Sequence, residues 1–340
     1  MRVCSVFFVF ILSVFLGGCG AENSPAGASG QPEVKVRLGF FANVTHAQAI
    51  IGIARGDFQR ALGNCKLETK VFNAGPSAVE AFFAGELDLA YIGPGPAVNA
   101  FVKSGGKVVR IICGSAANGV CIIVRPNSGI GKLADLAGKR IATPQFWNTQ
   151  DLSARHYLTK ILGLKLSGDG GETEVLPIAN ADQLNLFRAG QIDATWAPEP
   201  WASRLIHEAQ GTLLAEEKDL WPKKCFCSVV LLASTKFLNE QPALAQAFLK
   251  AHEDLTAWIN ANSEQAAELV NAELAKPGLT GKALSPAVLK GAFAHTQFTT
   301  DPLMETVQEF AAWLNDLAYH KEAPDLKGLF VPQAPKKIAN

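Results

Sequence analysis

The sequence predicts an α/β protein of two lobes that are joined by two crossing hinge strands, with a ligand cleft between the lobes. Short β-branched runs alternate with amphipathic stretches from residue 34 onward, as in parallel strands covered by helices. This alternation occurs in two units, and one segment of the first unit is echoed in the second. One further apolar run lies between the units and another follows the second unit, so the chain is expected to leave the first lobe once and to return to it once.

The N-terminus has the composition of a secretory signal peptide, which we place at residues 1–18. Arg2 precedes an apolar run at 3–16, which is shorter than the roughly 20 residues of a membrane-spanning helix, so a permanent span is the alternative. Leu16-Gly17-Gly18-Cys19 resembles the bacterial lipobox, and we expect Cys19 to be lipidated. An ordinary cysteine beside a conventional cleavage site is the other interpretation.

Residues 19–32 are rich in glycine, alanine and serine and are expected to form a flexible tether after the lipidated cysteine. Together with the signal peptide, this tether predicts an exported protein at the periplasm or the cell surface, attached to the membrane through Cys19. The remaining residues are too many for one ordinary core. We place lobe one at 33–123 and 226–325, lobe two at 124–225, and an irregular C-terminal tail at 326–340.

The charge balance narrows the expected partners. Lys and Arg together number 31, Asp and Glu together number 31, and no basic block occurs, so we do not expect a nucleic-acid partner. We expect the chain to act as a monomer.

The elements follow from local patterns. In lobe one we predict strands at 34–40, 66–72, 87–92 and 108–113, with helices from about Thr45, Ser77 and Pro94. In lobe two we predict strands at 140–143, 174–176 and 192–196, with helices at about 149–162 and from Ala181 and Pro200. The crossing strands are 120–124 and 228–232. Apolar residues recur every three or four positions from 242 to about 317, which predicts helices that cover lobe one.

The internal echo is a nine-residue segment that recurs at a constant offset. Residues 82–90, FFAGELDLA, correspond to residues 187–195, FRAGQIDAT, and each copy runs into a proline-containing turn. The shared pattern is a helix closed by glycine, an acidic turn and a strand. Generic similarity between two βα units is the alternative explanation.

The binding site is expected beyond the carboxyl ends of the strands, where helix N-termini offer unpaired N–H groups and positive dipole ends. The turns there contain hydroxyls, amides, glycines and aromatic rings and almost no Lys or Arg. Such a site holds a small anion or zwitterion through N–H groups and hydroxyls. The predicted ligand-binding residues are Asn43, Thr45, His46, Gly75, Ser77, Gly93, Gly95, Ser115, Phe146, Asn148, Thr149, Gln150, Glu199 and Trp201.

Several of these residues have a structural alternative. The glycines suit close approach of a ligand to the backbone, or simply turn geometry. His46 either donates a hydrogen bond to an anion or is a satisfied structural histidine. Glu199 either accepts an ammonium group from a zwitterion or interacts with the dipole of its helix. Phe146 and Trp201 either line the cleft or belong to the core.

The order of several segments resembles the family of sulfonate, nitrate and taurine solute-binding proteins. The segment RLGFFANVTHA at 37–47 opens the resemblance, which covers nearly all of 34–317. The other segments are FAGELD at 83–88, GPGP at 93–96, LADLAGKRIA at 133–142 and WAPEPW at 196–201. The resemblance implies a class II periplasmic-binding-protein fold whose lobes close on a ligand, with an ABC permease and ATPase as partners. Members bind alkanesulfonates, taurine, nitrate, bicarbonate or thiamine-related pyrimidines, and we expect a sulfonate or a taurine-like ligand.

The cysteines depart from the pattern of similar proteins, which carry hydroxyl residues on the returning crossing strand. Here the sequence is Lys224-Cys225-Phe226-Cys227-Ser228. Together with Cys121, and with Cys113, these thiols either form a disulfide or a soft-metal site or are structural. We interpret them as structural and predict no metal and no cofactor.

Two other function classes stay open. The same superfamily includes a thiamine-pyrimidine synthase with a cysteine-rich motif, so an enzyme is one alternative, and a sensory lipoprotein is another. The sequence has no Gly-x-Ser-x-Gly elbow and no His-Glu-x-x-His pair, and we expect a binding protein without catalytic activity.

Overall fold

The computed structural model describes residues 34–320, 322 and 324–331. The predicted signal peptide, Cys19 and the tether at 19–32 lie outside these residues. In the described part of the chain, no helix is both long and apolar enough to cross a membrane.

The strands form two separate sheets. They are β1 (Lys35–Phe41), β2 (Lys66–Phe72), β3 (Leu89–Ile92), β4 (Val109–Asn118), β5 (Val120–Val124), β6 (Arg140–Thr143), β7 (Glu174–Pro177), β8 (Ala194–Pro198), β9 (Thr212–Glu216), β10 (Cys227–Ser234) and β11 (Thr296–Phe298). The first sheet has the order β11-β4-β10-β3-β1-β2, and the second has the order β7-β6-β8-β5-β9. Apart from β11, the two sheets are built on the same plan.

The shared plan is a set of parallel strands with one antiparallel strand inserted beside them. In the first sheet β1 is parallel to β2 and β3, while β10 is antiparallel to β3 and β4. In the second sheet β6 is parallel to β7 and β8, while β5 is antiparallel to β8 and β9. The inserted strands β5 and β10 each follow a crossing between the sheets. The predicted architecture of two α/β lobes with two crossing strands is therefore confirmed.

The helices alternate with the strands and then cover them. They are α1 (Ala47–Ala54), α2 (Asp57–Leu62), α3 (Gly75–Phe83), α4 (Pro94–Lys103), α5 (Thr149–His156), α6 (Asn180–Arg188), α7 (Trp201–Ala209), α8 (Thr235–Glu240), α9 (Pro242–Ala261), α10 (Ser263–Leu274), α11 (Pro286–His295) and α12 (Met304–Asp316). A short 3-10 turn, Val44–His46, precedes α1, and a π-helical turn, Tyr157–Ile161, extends α5.

The C-terminal helices bury the face that their periodicity predicts. In α9 the buried side chains include Phe248, His252, Leu255 and Ile259, spaced by three or four residues. They pack into the core on one side of the first sheet, where the imidazole of His252 bonds the hydroxyl of Tyr91 on β3. Helices α11 and α12 also contact α7 and α5 of the second lobe, so they do not cover lobe one alone.

The first lobe boundary differs from the predicted one. The sequence predicts this boundary after residue 123. In the structure, Val120–Val124 pairs throughout with β8 and β9 of the second sheet, so the boundary lies before Val120. The chain crosses at Gly119, whose φ of +71° is in the left-handed region that favours glycine. Because the apolar run itself looks the same in either sheet, only the pairing reveals the lobe to which it belongs.

The predicted tail is also less irregular than expected in its described part. Leu329 is fully buried, its carbonyl accepts a hydrogen bond from the backbone N–H of Ile111 at 2.8 Å, and Phe330 forms a parallel bridge with Ile111. Residues 326–331 therefore extend the core of lobe one.

Candidate functional site

A small cavity of about 30 Å³ lies where the two lobes meet. Eight of the predicted ligand-binding residues line it: Asn43, Thr45, His46, Gly75, Gly93, Asn148, Thr149 and Gln150. The first five come from lobe one and the last three from lobe two. The turns at the carboxyl ends of strands in both sheets therefore do face a shared cavity.

Four helices of eight or more residues begin at this cavity. In lobe one, α3 starts at Gly75 and α4 starts immediately after Gly93. In lobe two, α5 starts immediately after Asn148 and α6 starts at Asn180. Because the N-terminus of a helix carries a partial positive charge, four such ends favour a negatively charged group. The first N–H groups of α5 and α6 have no partner within their helices, whereas in α3 and α4 Pro76, Pro94 and Pro96 have no N–H group to donate.

The side chains that line the cavity are neutral. Among the described lining residues there is no Lys, Arg, Asp or Glu, and burial lowers the pKa of His46 to about 3, so its imidazole is uncharged at neutral pH. The backbone N–H of Phe41 donates to Nδ1 of His46 at 3.4 Å, which assigns the imidazole proton to Nε2. Any charge on a ligand here is met by dipoles and not by a counter-ion.

Two polar atoms at the cavity are buried and unsatisfied. Oγ1 of Thr149 and Oδ1 of Asn180 have no hydrogen-bond partner within the described residues. Buried polar atoms in native proteins are nearly always bonded, and leaving one unpaired costs about 1–3 kcal/mol. These two atoms, each at the start of a helix, are therefore available to a bound solute.

Asp151 fixes the loop that carries the lobe-two side of the cavity. Its fully buried carboxylate accepts hydrogen bonds from the hydroxyl of Thr143 at 2.8 Å, the backbone N–H of Trp147 at 3.0 Å and Nε of Arg155 at 2.8 Å. Oδ1 of Asn148 in turn accepts from the backbone N–H of Asp151 at 2.8 Å and caps α5. This network holds Asn148 and its neighbour Thr149 in place before a ligand arrives.

Two predicted ligand residues join the lobes to each other and do not line the cavity. Oγ of Ser77 lies 3.2 Å from Nε2 of Gln145, across the cleft. Nε1 of Trp201 donates to Oδ1 of Asn43 at 2.9 Å, so the indole fixes one cavity residue from the opposite lobe. The backbone N–H of Val44 also donates to the carbonyl of Glu199, at 3.1 Å. The lobes are therefore closed on the cavity.

Three further predicted residues lie away from the cavity lining. The hydroxyl of Ser115 donates to Gln48 in the core at 3.0 Å, and Phe146 is 48% exposed beneath the guanidinium of Arg155. A Cβ at Gly95 would lie 3.3 Å from Leu152, so this glycine permits close packing of α4 against α5. The sequence pattern identified the right turns but not the direction of each side chain.

Glu199 also departs from its predicted role. Its fully buried carboxylate accepts hydrogen bonds from the backbone N–H of Ser203 at 3.1 Å and from the Ser203 hydroxyl at 3.0 Å, and it lies 2.6 Å from Nδ1 of His295. An acceptor that is already occupied in this way and does not line the cavity is not placed to bind the ammonium group of a ligand.

The lining residues that sequence reasoning missed are mostly small or apolar: Phe41, Asn73, Ala74, Pro96, Val120, Pro144, Asn180, Pro198, Ser228 and Val229. The role of Asn180 could have been predicted from the sequence, because it is a polar residue that opens a helix after a strand. Ser228 could have been predicted too, because it is a hydroxyl residue on a crossing strand, although its hydroxyl donates to the carbonyl of Ala116.

A larger crevice of about 530 Å³ adjoins the small cavity and shares Asn43, Asn73 and Asn180 with it. Its wall carries Arg188, Arg204, Glu208 and Lys282. Arg204 lies over the Trp201 ring and also bonds Glu208. The crevice is therefore polar, with three cations against one carboxylate among its lining residues.

The two lobes, the two crossings and the enclosed cavity define a class II periplasmic-binding-protein fold. The chain belongs to the NMT1-like family, whose model matches residues 29–274.

Three proteins illustrate the similarity. A Bacillus subtilis (strain 168) protein named for binding aliphatic sulfonates is 26% identical over 332 residues, which cover 94% of this chain and 91% of that protein. The alkanesulfonate-binding protein SsuA of Xanthomonas axonopodis pv. citri, solved bound to MOPS, superposes with a TM-score of 0.68 at 22% identity, covering 89% of this chain and 99% of SsuA. The periplasmic nitrate-binding protein NrtA of Synechocystis PCC 6803 gives a TM-score of 0.70 at 16% identity, covering 85% and 82% of the two chains. At these identities the two structural likenesses show the fold.

Proposed function

We propose that this protein is the extracytoplasmic solute-binding component of an ABC importer and that its two lobes close on a small anion or zwitterion, with a sulfonate or a taurine-like molecule as the main candidate. The observation that carries the proposal is the buried, unpartnered hydroxyl of Thr149, which stands at the start of α5, where an oxyanion is favoured. The other unpartnered atom, Oδ1 of Asn180, only accepts hydrogen bonds and would receive an N–H or O–H group of the solute, such as the ammonium group of a zwitterion.

The charge of the ligand follows from the surroundings of these atoms. Four helix N-termini favour negative charge, and no acidic side chain is among the described residues of the lining. The hydroxyl of Thr149 and the Nε2–H of His46 are further donors. An anion held in this way by dipoles and neutral donors needs no paired Lys or Arg.

The size of the cavity limits what is enclosed. Its volume of about 30 Å³ is far below the roughly 300 Å³ of sites for larger organic ligands. We infer that a compact oxyanion group occupies the cavity and that any tail extends into the adjoining crevice, which shares three asparagines with it. The relatives named for aliphatic sulfonates support an oxyanion of this kind.

A compact anion without a tail is the second candidate. The small volume favours nitrate or bicarbonate equally well on size, and one structural neighbour is a nitrate-binding protein. The presence or absence of a tail in the adjoining crevice separates the two candidates.

The proposal extends to the location of the protein and its partners. Residues 1–18 would be removed as a signal peptide, and Cys19 would anchor the mature chain to the membrane beside an ABC permease and ATPase. The protein would act as a monomer and would bind its solute without changing it chemically. The relatives reported above are named as binding proteins, which supports this view.

A thermal-shift panel tests the proposal. Ethanesulfonate, taurine, nitrate and bicarbonate are each added at constant ionic strength, with ethanol and ethanolamine as matched controls that lack the sulfonate. A ligand at 100 times its dissociation constant stabilises the folded state by about 2.7 kcal/mol. We expect at least one anion to raise the Tm while neither control does. If no anion of the panel raises the Tm, or if ethanolamine does so as strongly as taurine, the proposal fails.

A further inference from the structure

Three chemically different side chains meet beside the crossing between the lobes, away from the ligand cavity. Sγ of Cys121 lies 3.6 Å from Nδ1 of His295, and the same nitrogen lies 2.6 Å from Oε1 of Glu199. The ligand atoms of all three lie within 4.8 Å of one another. None of the three residues lines the cavity.

The backbone at the crossing fixes this cluster. The N–H of Glu199 donates to the carbonyl of Gly119 at 2.8 Å, and the N–H of Gly119 donates to the carbonyl of His295 at 2.8 Å. Cys121 follows two residues after Gly119 and pairs with Ala197 in the ladder between β5 and β8. The three side chains are therefore held by one hydrogen-bonded backbone unit, although they are far apart in sequence.

Thiolate, imidazole and carboxylate together form a donor set that zinc prefers. Tetrahedral Zn²⁺ with sulfur at about 2.3 Å and nitrogen at about 2.0 Å places these two atoms about 3.5 Å apart, close to the observed 3.6 Å. The carboxylate oxygen would have to retreat from the imidazole, since a zinc ion requires about 3.3 Å between a nitrogen and an oxygen ligand.

The residues around the cluster hold the carboxylate by hydrogen bonds and leave one side of the cluster open to solvent. The hydroxyl and the backbone N–H of Ser203 hold the carboxylate of Glu199, as hydrogen-bonding partners commonly hold metal ligands. Cys121 and Glu199 are fully buried, whereas the side chain of His295 is 18% exposed. Solvent and a fourth ligand would therefore reach the ion from the side of His295.

We propose that Cys121, Glu199 and His295 bind one divalent cation of the zinc class, with water as the fourth ligand. On binding, the Cys121 thiol releases its proton to solvent and coordinates as thiolate, and His295 coordinates through unprotonated Nδ1. The ion would link β5 and the end of β8 in the second sheet to the end of α11. The ion would thus stabilise the crossing between the lobes, at a place separate from the solute site.

Cobalt is the spectroscopic probe for this site, because a thiolate ligand gives Co²⁺ a sulfur-to-metal charge-transfer band and tetrahedral geometry gives intense visible bands. The full-length mature protein is dialysed against chelator and titrated with Co²⁺. We expect one Co²⁺ per chain with both features, and displacement by Zn²⁺.

Matched variants decide whether the three residues form the site. Cys121→Ser should abolish the charge-transfer band, and His295→Gln should weaken Co²⁺ binding at least tenfold. Cys225→Ser and His320→Gln, which change the same residue types elsewhere, should leave both unchanged. Because His295 is partly exposed, its variant gives the answer if Cys121→Ser does not fold.

Any of three outcomes overturns the metal proposal. The first is the absence of stoichiometric Co²⁺ binding by the wild type, the second is a charge-transfer band that persists in Cys121→Ser, and the third is Co²⁺ binding that is unaffected in His295→Gln. The anion panel described above is read with metal-free protein, so failure of the metal site and failure of the solute site are distinguishable.

Discussion

Asp88 and Asp193 occupy equivalent positions in the two lobes, 105 residues apart, and each forms a bidentate ion pair with an arginine of the neighbouring parallel strand, Arg37 on β1 and Arg140 on β6. Oδ2 of Asp88 accepts from the backbone N–H and from Nε of Arg37, both at 2.9 Å. Oδ2 of Asp193 accepts from the backbone N–H of Arg140 at 3.1 Å and from its Nε at 2.9 Å. The echo in the sequence therefore marks the same ion pair in each lobe, immediately before β3 and β8.

Replacing Asp193 with asparagine should destabilise the protein in a pH-dependent way. Desolvation raises the pKa of Asp193, but hydrogen bonds from Arg140 and Arg125 and the charge of Arg140 outweigh it and lower the pKa to about 2. Since the pKa in the folded state is below the unfolded value, the contribution is complete above about pH 4 and is lost as the pH falls through 2. Asp193→Asn should lower the free energy of unfolding by about 2 kcal/mol at pH 7.

Urea denaturation at pH 7 and pH 3 measures this effect, and the exposed carboxylate of Asp169 provides the control. Asp169→Asn should change the free energy of unfolding little at either pH. If Asp193→Asn lowers the free energy of unfolding equally at both pH values, the loss of packing and not the loss of charge is responsible.

Glu217 should produce the opposite pH dependence. Burial raises the pKa of Glu217 to about 7, although Ser153, Trp196 and Trp221 donate hydrogen bonds to its carboxylate. Because the folded-state pKa lies above the unfolded value, its contribution to stability is present below about pH 4.5 and is lost as the pH rises through 7. Relative to Glu217→Gln, the wild type should lose about 3 kcal/mol between these limits.

Unfolding curves at pH 4.5, 6 and 8 follow this difference, with Glu264→Gln on the surface as the control. The wild type and the control should share one pH profile, while Glu217→Gln should be flatter. Parallel profiles for all three proteins would mean that folding does not raise the pKa of Glu217.

The sequence predicts the elements well because they depend on local patterns. The strand at 66–72 and the strand at 140–143 appear with the predicted bounds, and the helix predicted at about 149–162 is α5 with its π-helical extension. Two short strands, β9 and β11, were missed. β11 has only three residues and is defined by its pairing with β4, which no local pattern reveals.

The site was predictable at the level of turns but not of side chains. Asn43 and Thr149 reach the cavity because they follow strands or open helices, and this position is visible in the sequence. Ser115 has the same kind of signal, yet it lies within β4 and faces the core, because β4 continues five residues beyond its predicted end at 113. The cluster of Cys121, Glu199 and His295 forms where the chain crosses between the sheets. Because these residues are far apart in sequence, no local pattern predicts that they come together.

Gly93 should control how closely the lobes approach each other. A Cβ at this position would lie 2.2 Å from Oγ1 of Thr149 and 3.2 Å from its Cβ, on the opposite lobe. Gly93→Ala should therefore weaken binding of the strongest anion of the panel by roughly tenfold or more, because closure must be incomplete or Thr149 must rotate away. Isothermal titration calorimetry measures the affinity.

Gly168→Ala is the matched control, because a Cβ there meets nothing within 4 Å. Its affinity should equal that of the wild type. An unchanged affinity in Gly93→Ala would indicate that the lobes do not close at this contact when the anion is bound.

Trp201 should act on affinity without contacting the enclosed group. Its indole N–H donates to Asn43 across the cleft, so Trp201→Phe removes a bond that favours the closed arrangement and leaves the Asn43 oxygen unpaired. The dissociation constant of the same anion should rise by a factor that corresponds to about 1–3 kcal/mol. Trp258→Phe, on α9 away from the cavity, should leave it unchanged, and equal effects of the two substitutions would contradict this role.

The hydroxyl of Thr149 tests the central claim most directly, because it is buried at the cavity, stands at the start of α5 and has no partner among the described residues. Calorimetry with the strongest anion of the panel compares the wild type, Thr149→Val, which keeps the shape, and Thr149→Ser, which keeps the hydroxyl. We predict a loss of about 1–3 kcal/mol of binding free energy in Thr149→Val and a much smaller loss in Thr149→Ser. Equal affinity of Thr149→Val and the wild type would contradict the claim that the anion is bound in this cavity between the lobes.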